Sequence, residues 1–413
     1  MLLGKNLHIA SSYLIYLGCA FAFFTVPFGL NIGRNVFYLS SYIAFIMIVL
    51  NFRHYTKNKF NLFVSSCLLA LGLAIILWVA RYKQQDEYIN IYRAYMGTAR
   101  LQIAAAFIML FALNEKIPTK KIAIFTGIFA GVIVNAFGLY QGLWLGITRI
   151  SLNFDRATIV AYILTAISLV MMQSILMMRI RYRLVIYTIS FAFTYSTLLL
   201  TGTRAAIIAY PIIIFLSIMA TKNLINGNQK KLLLLALPLL IVISGLVFKK
   251  QIEMRINDFQ NNIAMVDNTK VENSVYARVW MQIVGIRTVN TAPLGQSAEK
   301  RADEARTIIS NEPRLYNAKR YLTVHLHNEV LETYSLRGIW GVLLLVATYA
   351  SLLILSFRPK RNVMLLGVSL ALILYGLSDV LFFSIECTAV FLISIIISIL
   401  ANRSQDEEHN QNV

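Results

Sequence analysis

The feature that most constrains this chain is an alternation of apolar runs of bilayer-spanning length with short connections rich in lysine and arginine. Twelve runs are legible, at about 12–30, 36–52, 62–80, 94–113, 122–140, 157–178, 184–200, 205–220, 232–248, 336–356, 363–379 and 384–401. A helix needs about 20 apolar residues to cross the hydrocarbon layer, and several runs stand nearer about 17, the short end of the range. A charged fraction of 14% against a hydrophobic fraction of 58% cannot cover a soluble surface. The expected fold is an all-α polytopic membrane protein. A net charge of +19 would suit nucleic acid, yet no basic block occupies a polar domain. The cations fall in small clusters between apolar runs, so membrane lipids are the expected surroundings and nucleic acid is not.

Three cysteines, Cys19, Cys67 and Cys387, lie inside apolar runs without metal or redox spacing, and structural disulfides are not expected. The first run lacks a small-residue cleavage pattern and another follows at once, so it reads as a span and not as a cleavable leader. Only Thr201, Gly202, Thr203 and Arg204 separate runs seven and eight, which fit either a short helical hairpin or a broken helix.

Charge orients the runs. With the amino terminus in the cytoplasm, the inside segments carry 17 basic residues: Lys5, Arg53, Lys57, Lys59, Lys116, Lys120, Lys121, Arg179, Arg181, Arg183, Lys222, Lys230, Lys231, Arg358, Lys360, Arg361 and Arg403. The short outside loops carry 7: Arg34, Arg81, Lys83, Arg93, Arg149, Arg156 and Arg204. The bias places both termini in the cytoplasm. The expected organisation is spans one to nine over 1–248, a periplasmic helical loop domain over 249–335, spans ten to twelve over 336–401, and a cytoplasmic polar tail over 402–413.

The loop domain has 12 basic and 10 acidic residues, the balance of a folded polar cap. Glu253 to Val266 and Ser297 to Asn311 read as surface helices. Between them, Asn273-Ser274 suits a cap for a helix from Val275 to about Thr288. Tyr276, Val279, Trp280, Ile283 and Val284 gather on one of its faces, with Arg278 opposite and Pro293-Leu-Gly295 ending it.

Chemistry concentrates at the outer boundary. Of five histidines, His325 and His327 sit together in His325-Leu-His-Asn-Glu329, just before run ten, and Arg337-Gly338 marks a stop or kink beyond them. A helix amino terminus disfavours imidazolium, which leaves His327 neutral and able to accept a proton, oriented by Glu329 or Glu332. Two other readings stay open: interfacial hydrogen bonding of the pair, and a His-x-His metal site completed by Glu329. Arg204, beside two threonines and a glycine, suits phosphate oxygens or serves as an interfacial anchor; Arg278 suits the same anion or an ordinary solvated face. Asp379, at the outer end of run eleven, and Arg100, in run four, are the other charges near apolar segments, where such residues face a cavity or bundle interior. Arginines, an acid and paired histidines on one side suggest a site for a lipid-linked anion.

Five strings, in order on this twelve-span outline with its large loop between spans nine and ten, resemble the bacterial O-antigen ligases over essentially the whole chain. They are Thr201-Gly-Thr-Arg204-Ala, Asn273-Ser-Val-Tyr-Ala-Arg278, Ser297-Ala-Glu-Lys-Arg301-Ala-Asp-Glu304, Val324-His-Leu-His-Asn-Glu329 and Gly376-Leu-Ser-Asp379. The wider group includes O-antigen polymerases and protein O-oligosaccharyltransferases. The resemblance implies an integral-membrane glycosyltransferase fold and glycan transfer, with inversion, from an undecaprenyl-diphosphate-linked O-antigen donor to a lipid A–core acceptor at the periplasmic face. It implies Arg204 and Arg278 at the diphosphate, with Arg100 and Asp379 grouped beside them, His327 as general base with His325 and Glu329 as neighbours, and no cofactor or metal. Runs seven and eight are shorter than that outline. A transporter of lipid-linked glycans is the rival of another class, but it would place ionisable residues midway along broken helices and show repeated halves, and neither is evident. A polymerase, with a lipid-linked glycan as acceptor, is the rival within the class.

Overall fold

The computed structural model describes residues 2–84, 87–154, 156–222, 224–264, 274–358 and 360–402. Its α-helices run in chain order α1 Leu2–Thr25, α2 Asn31–Leu50, α3 Phe52–Thr56, α4 Lys59–Tyr82, α5 Ile89–Asn114, α6 Lys120–Leu139, α7 Ala157–Met177, α8 Arg183–Thr201, α9 Arg204–Ala220, α10 Gly227–Val247, α11 Lys249–Ala264, α12 Ser274–Val289, α13 Ala298–Asn311, α14 Glu329–Phe357, α15 Val363–Gly376 and α16 Ile385–Ala401. Asn273 and the tail beyond 402 lie outside the described residues, as do Arg403 and Val266.

Nine helices among the described residues are long and apolar enough to cross a membrane. Three shorter apolar ones, α9, α15 and α16, of 17, 14 and 17 residues, occupy runs eight, eleven and twelve. Run eleven, expected to reach 379, ends as helix at Gly376. There the Ser378 and Asp379 N–H groups both turn back to the Tyr375 carbonyl, and a 3-10 turn follows over Leu381–Phe383. The α8–α9 pair is a hairpin: Gly202 takes a left-handed conformation (φ 62°), and Arg183 at the start of α8 donates to the Leu224 carbonyl beyond the end of α9 at 2.5 Å.

Helices apolar all round belong in the centre of a bundle. Every residue from Val160 to Leu176 of α7 and from Cys387 to Ala401 of α16 is buried, and these two helices run through the core. By contrast α10 exposes Leu232, Leu235, Leu239, Val242 and Leu246, a lipid-facing surface in a bilayer. The polar helix ends collect at two poles. At one, Tyr55 meets Glu115 at 2.5 Å, Arg361 donates to the Ala220 carbonyl at 3.1 Å, and Asn362 to the Ser398 carbonyl at 2.7 Å. At the other, Arg34 meets Glu386, Arg149 meets the Thr201 carbonyl, and Asn153 meets the Phe28 carbonyl.

Helices α12 and α13 cap the second pole, and a glycine kink in α14 docks them. Gly338 has φ 65° and ψ −164°, a conformation essentially confined to glycine. The carbonyl of Leu336 and the N–H of Ile339, released from the helix by the kink, bond instead to Gln296 N–H (2.9 Å) and the Pro293 carbonyl (3.0 Å). The Trp78 indole donates to the Gln296 carbonyl at 2.8 Å and stacks on Tyr92, whose hydroxyl reaches Glu299 at 2.5 Å. The cap is thereby pinned to α4, α5 and α14.

Candidate active site

Asn328 begins α14 by accepting the Val330 and Leu331 N–H groups at 3.1 and 3.0 Å, satisfying donors that a helix start leaves open. Its amide donates to the Leu377 carbonyl at 3.1 Å, joining the histidine loop to the turn after α15. Just before it, His327 has φ +49°, a left-handed conformation uncommon for a residue with a Cβ. That turn brings its Nδ1 to 3.0 Å from Asp379 Oδ1 and its N–H to 3.3 Å from His325 Nδ1. The His325 and His327 rings meet edge to face at 4.4 Å, with Phe383 behind His325 at 4.9 Å.

This geometry sets the tautomers. A carboxylate facing Nδ1 of His327 keeps a proton there and leaves Nε2 as the acceptor. Since His325 Nδ1 accepts the His327 N–H, the His325 proton sits on Nε2, 3.8 Å from Asp379. Burial, against the pull of the Asp379 charge, pushes His325 down to about 4 and keeps it neutral. Burial alone would raise Asp379; the His327 hydrogen bond, the two histidines and the Val380 N–H outweigh it and hold the carboxyl well below its usual range. Asp379 is therefore a buried carboxylate, 4% exposed, with Tyr162 Oη 3.5 Å from its second oxygen.

Glu329 and Glu332 do other work than orienting His327. Glu329, fully buried, accepts the Phe382 N–H at 3.0 Å and holds the turn that follows Asp379. Glu332 accepts from Arg301 Nη1 and from the Leu326 N–H, both at 2.8 Å, and fastens the histidine loop to α13. The Ser297–Glu304 string thus supports the site through Arg301.

Beside the histidines a cavity of about 480 Å³ is lined by Arg149, Arg204, Arg255 and Arg278, with Thr203, Tyr162, Gln282 and Ser378. No carboxylate lines it among the described residues, although Asp258 pairs with Arg255 at 3.1 Å. Arg149 bonds the Thr201 carbonyl at 3.0 Å, and its pKa is lowered by burial first and then by the charges of Arg255, Arg278 and Arg204. So dense a group of cations calls for an anion. Glycine is favoured at position 202 of this wall by its left-handed backbone (φ 62°), and Arg255 packs directly against it. The cavity adjoins the histidine centre, because Gln282 lies 3.4 Å from the His327 carbonyl and Ser378 precedes Asp379.

His325 lines a second cavity of about 350 Å³ with Asn153, Arg156, Ser384 and Glu386. The His327–Asp379 pair therefore stands between a cationic chamber and a mixed polar one. Arg149 and Arg255 join Arg204 and Arg278, although Arg149 reads in the sequence only as a loop cation and Arg255 only as part of a surface helix. Asp379 belongs to the histidines and not to the arginines. Arg100 joins neither, lying instead between α2 and α5.

His325, His327 and Asp379 also offer ligand atoms within 4.8 Å of one another, a donor set of the kind divalent cations use. Here, however, His327 Nδ1 bonds the carboxylate and His325 Nδ1 accepts a backbone N–H. That pattern suits proton transfer better.

Residues 188–346, less than half the chain, match the family described as O-antigen ligase. The segment spans Arg204, Arg255, Arg278 and the histidine loop. Over 392 residues the chain is 26% identical to the O-antigen ligase of Escherichia coli (strain K12), covering 94% of this chain and 92% of that one. The chain is thus similar to O-antigen ligases over most of its length. Asp379 falls outside the matched segment, and only the packing of α15 against α14 brings it to His327.

Proposed function

We propose that this protein transfers a glycan from an undecaprenyl-diphosphate-linked O-antigen donor to a terminal sugar of the lipid A–core acceptor in lipopolysaccharide biosynthesis. The observation that carries this reading is the chamber of four arginines beside a carboxylate-backed histidine. Guanidinium forks match diphosphate oxygens, and the amino terminus of α9 opens onto the same chamber at Thr203–Ala205. On the far side, the cavity next to His325 takes the acceptor sugar.

The step is one displacement. The acceptor hydroxyl gives its proton to His327 Nε2 as its oxygen bonds the anomeric carbon. The bond from that carbon to the diphosphate oxygen breaks, and the electron pair leaves with the lipid diphosphate. The arginines stabilise the charge that grows on the leaving group, and Asp379 stabilises the imidazolium. Attack from the face opposite the leaving group inverts the anomeric centre. The activated donor supplies the driving force, so no nucleotide is required. The basic pole faces the cytoplasm and the histidine pole the periplasm, with nine long and three short helices crossing the inner membrane.

Purified protein with lipid-linked donor and truncated core acceptor tests the reaction. Transfer to the core supports it; transfer only to a second lipid-linked glycan identifies a polymerase, and neither product refutes both. Full-length similarity to a ligase favours the first outcome. An impermeant thiol reagent on intact cells tests orientation: a cysteine replacing Lys230 should be protected and one replacing Asn153 labelled, and the reverse pattern overturns the topology.

A further inference from the structure

Arg100 has no role in either cavity. It stands eleven residues into α5, about 16 Å along the axis, on an exposed face of the helix. Gly97, one turn closer to the histidine pole, meets Ile385 at the start of α16, so Arg100 lies one turn deeper than that junction. Among the described residues its guanidinium makes no hydrogen bond and no ion pair. An arginine facing hydrocarbon with nothing to neutralise it is costly, and such residues mark ligand sites.

Its surroundings specify the ligand. Tyr38, Ser41, Tyr42, Phe45 and Phe107 line with Arg100 an outward-facing groove of about 600 Å³ between α2 and α5. The walls suit acyl chains, while the two phenols, the hydroxyl and the guanidinium offer hydrogen-bond donors to an anion. The His325 cavity lies about one helical turn above the groove. Arg34, one turn above Tyr38 on α2, pairs with Glu386 at 3.4 Å, and Glu386 and Ile385 line that cavity.

We propose that the α2–α5 groove holds the membrane end of the acceptor: a glycolipid whose bilayer-proximal sugar carries a phosphate, paired with Arg100, while its oligosaccharide extends into the His325 cavity. This rests on the transfer reaction proposed above. It brings donor and acceptor to the His327–Asp379 pair from opposite sides, the donor by the four-arginine chamber and the acceptor by this groove.

The test is the acceptor KM and direct acceptor binding, the latter measured without donor, for wild type, Arg100→Gln and Arg100→Lys. Loss of one charge-assisted phosphate contact should raise the acceptor KM of Arg100→Gln about tenfold, with kcat and donor KM within about twofold of wild type. Arg100→Lys, which keeps the charge, should recover most of the affinity. Enzymatic removal of the acceptor's phosphate should weaken wild type to the same degree and add nothing to Arg100→Gln. An unchanged acceptor KM and binding in Arg100→Gln overturns the proposal. So does a defect that persists with dephosphorylated acceptor or tracks the anionic phospholipid content of the vesicles, which would assign the groove to a bilayer phospholipid. A wild-type protein that transfers nothing refutes the reaction instead, and the binding measurement still decides the groove. Arg100 is exposed and, among the described residues, unpaired, so its replacement leaves the fold intact.

Discussion

Asp379→Asn is the most direct probe of the centre. The carboxylate does two things that an amide of the same shape cannot do together. Its charge stabilises the imidazolium formed when His327 accepts a proton, and its acceptor-only oxygen, 3.0 Å from Nδ1, fixes the proton on that nitrogen. If the new amide presents its NH₂, His327 must carry its proton on Nε2 and cannot serve as base. If it presents its oxygen, the tautomer survives but the charge is lost. A carboxylate-to-amide change behind a catalytic histidine costs on the order of 10⁴ in kcat, and a general base contributes about 10²–10⁴. The expected fall here is therefore about 10³–10⁴, or about 4–5.5 kcal/mol of barrier. Oδ1 also accepts the Val380 N–H at 2.9 Å, so the rotamer that keeps oxygen toward His327 also keeps the turn and is the expected one. Donor binding should hardly move, because the arginine chamber does not use Asp379. The assay is single-turnover transfer with saturating donor and acceptor, beside equilibrium donor binding. A folded Asp379→Asn protein that keeps more than about a tenth of wild-type turnover would refute the role of the pair.

Arg278→Lys and Arg255→Lys retain charge but lose the planar fork, and should each weaken donor binding about tenfold, read by titration with lipid diphosphate; unchanged affinity removes them from the clamp. Gly338→Ala places a Cβ 2.4 Å from Leu294 backbone carbon and demands a conformation alanine avoids, so the cap should detach, seen as new proteolytic cleavage in 290–300. His325 has a lowered folded pKa, so its unfolded form binds the extra proton and stability falls as pH drops from about 6.5 toward about 4. Wild type should lose more Tm than His325→Gln across that window, and equal losses would contradict a buried neutral His325. Transfer should persist in excess chelator, because arginines supply the positive charge at the leaving group; loss on chelation with rescue by one divalent ion would make His325, His327 and Asp379 a metal site.

By itself the sequence determined what short-range chemistry determines. Apolar run length set the helical membrane class, because the cost of an unsatisfied backbone in hydrocarbon leaves few alternatives. The cap helices were legible from amphipathic spacing, and Arg204, Arg278 and the His325–Glu329 string stood out as polar residues at the ends of apolar runs. Gly338 declared a kink because it follows Arg337 just inside a span. None of these inferences required knowing which helix lies beside which.

Tertiary structure decided the partnerships. Asp379 reaches His327 across 52 residues of chain, through a turn that Glu329 and Asn328 hold in place, so the adjacent glutamates were the natural but mistaken choice for orienting the histidine. The left-handed His327 backbone, which aims the ring, leaves no mark in residue type. Arg149 and Arg255 are ordinary loop and helix cations until the α8–α9 hairpin folds between them, and Arg100 is separated from them because it lies between α2 and α5. The physical reason is common to all four: hydropathy reports whether a side chain leaves water, whereas a proton relay or an anion site depends on ångström-scale distances fixed only when distant helices pack.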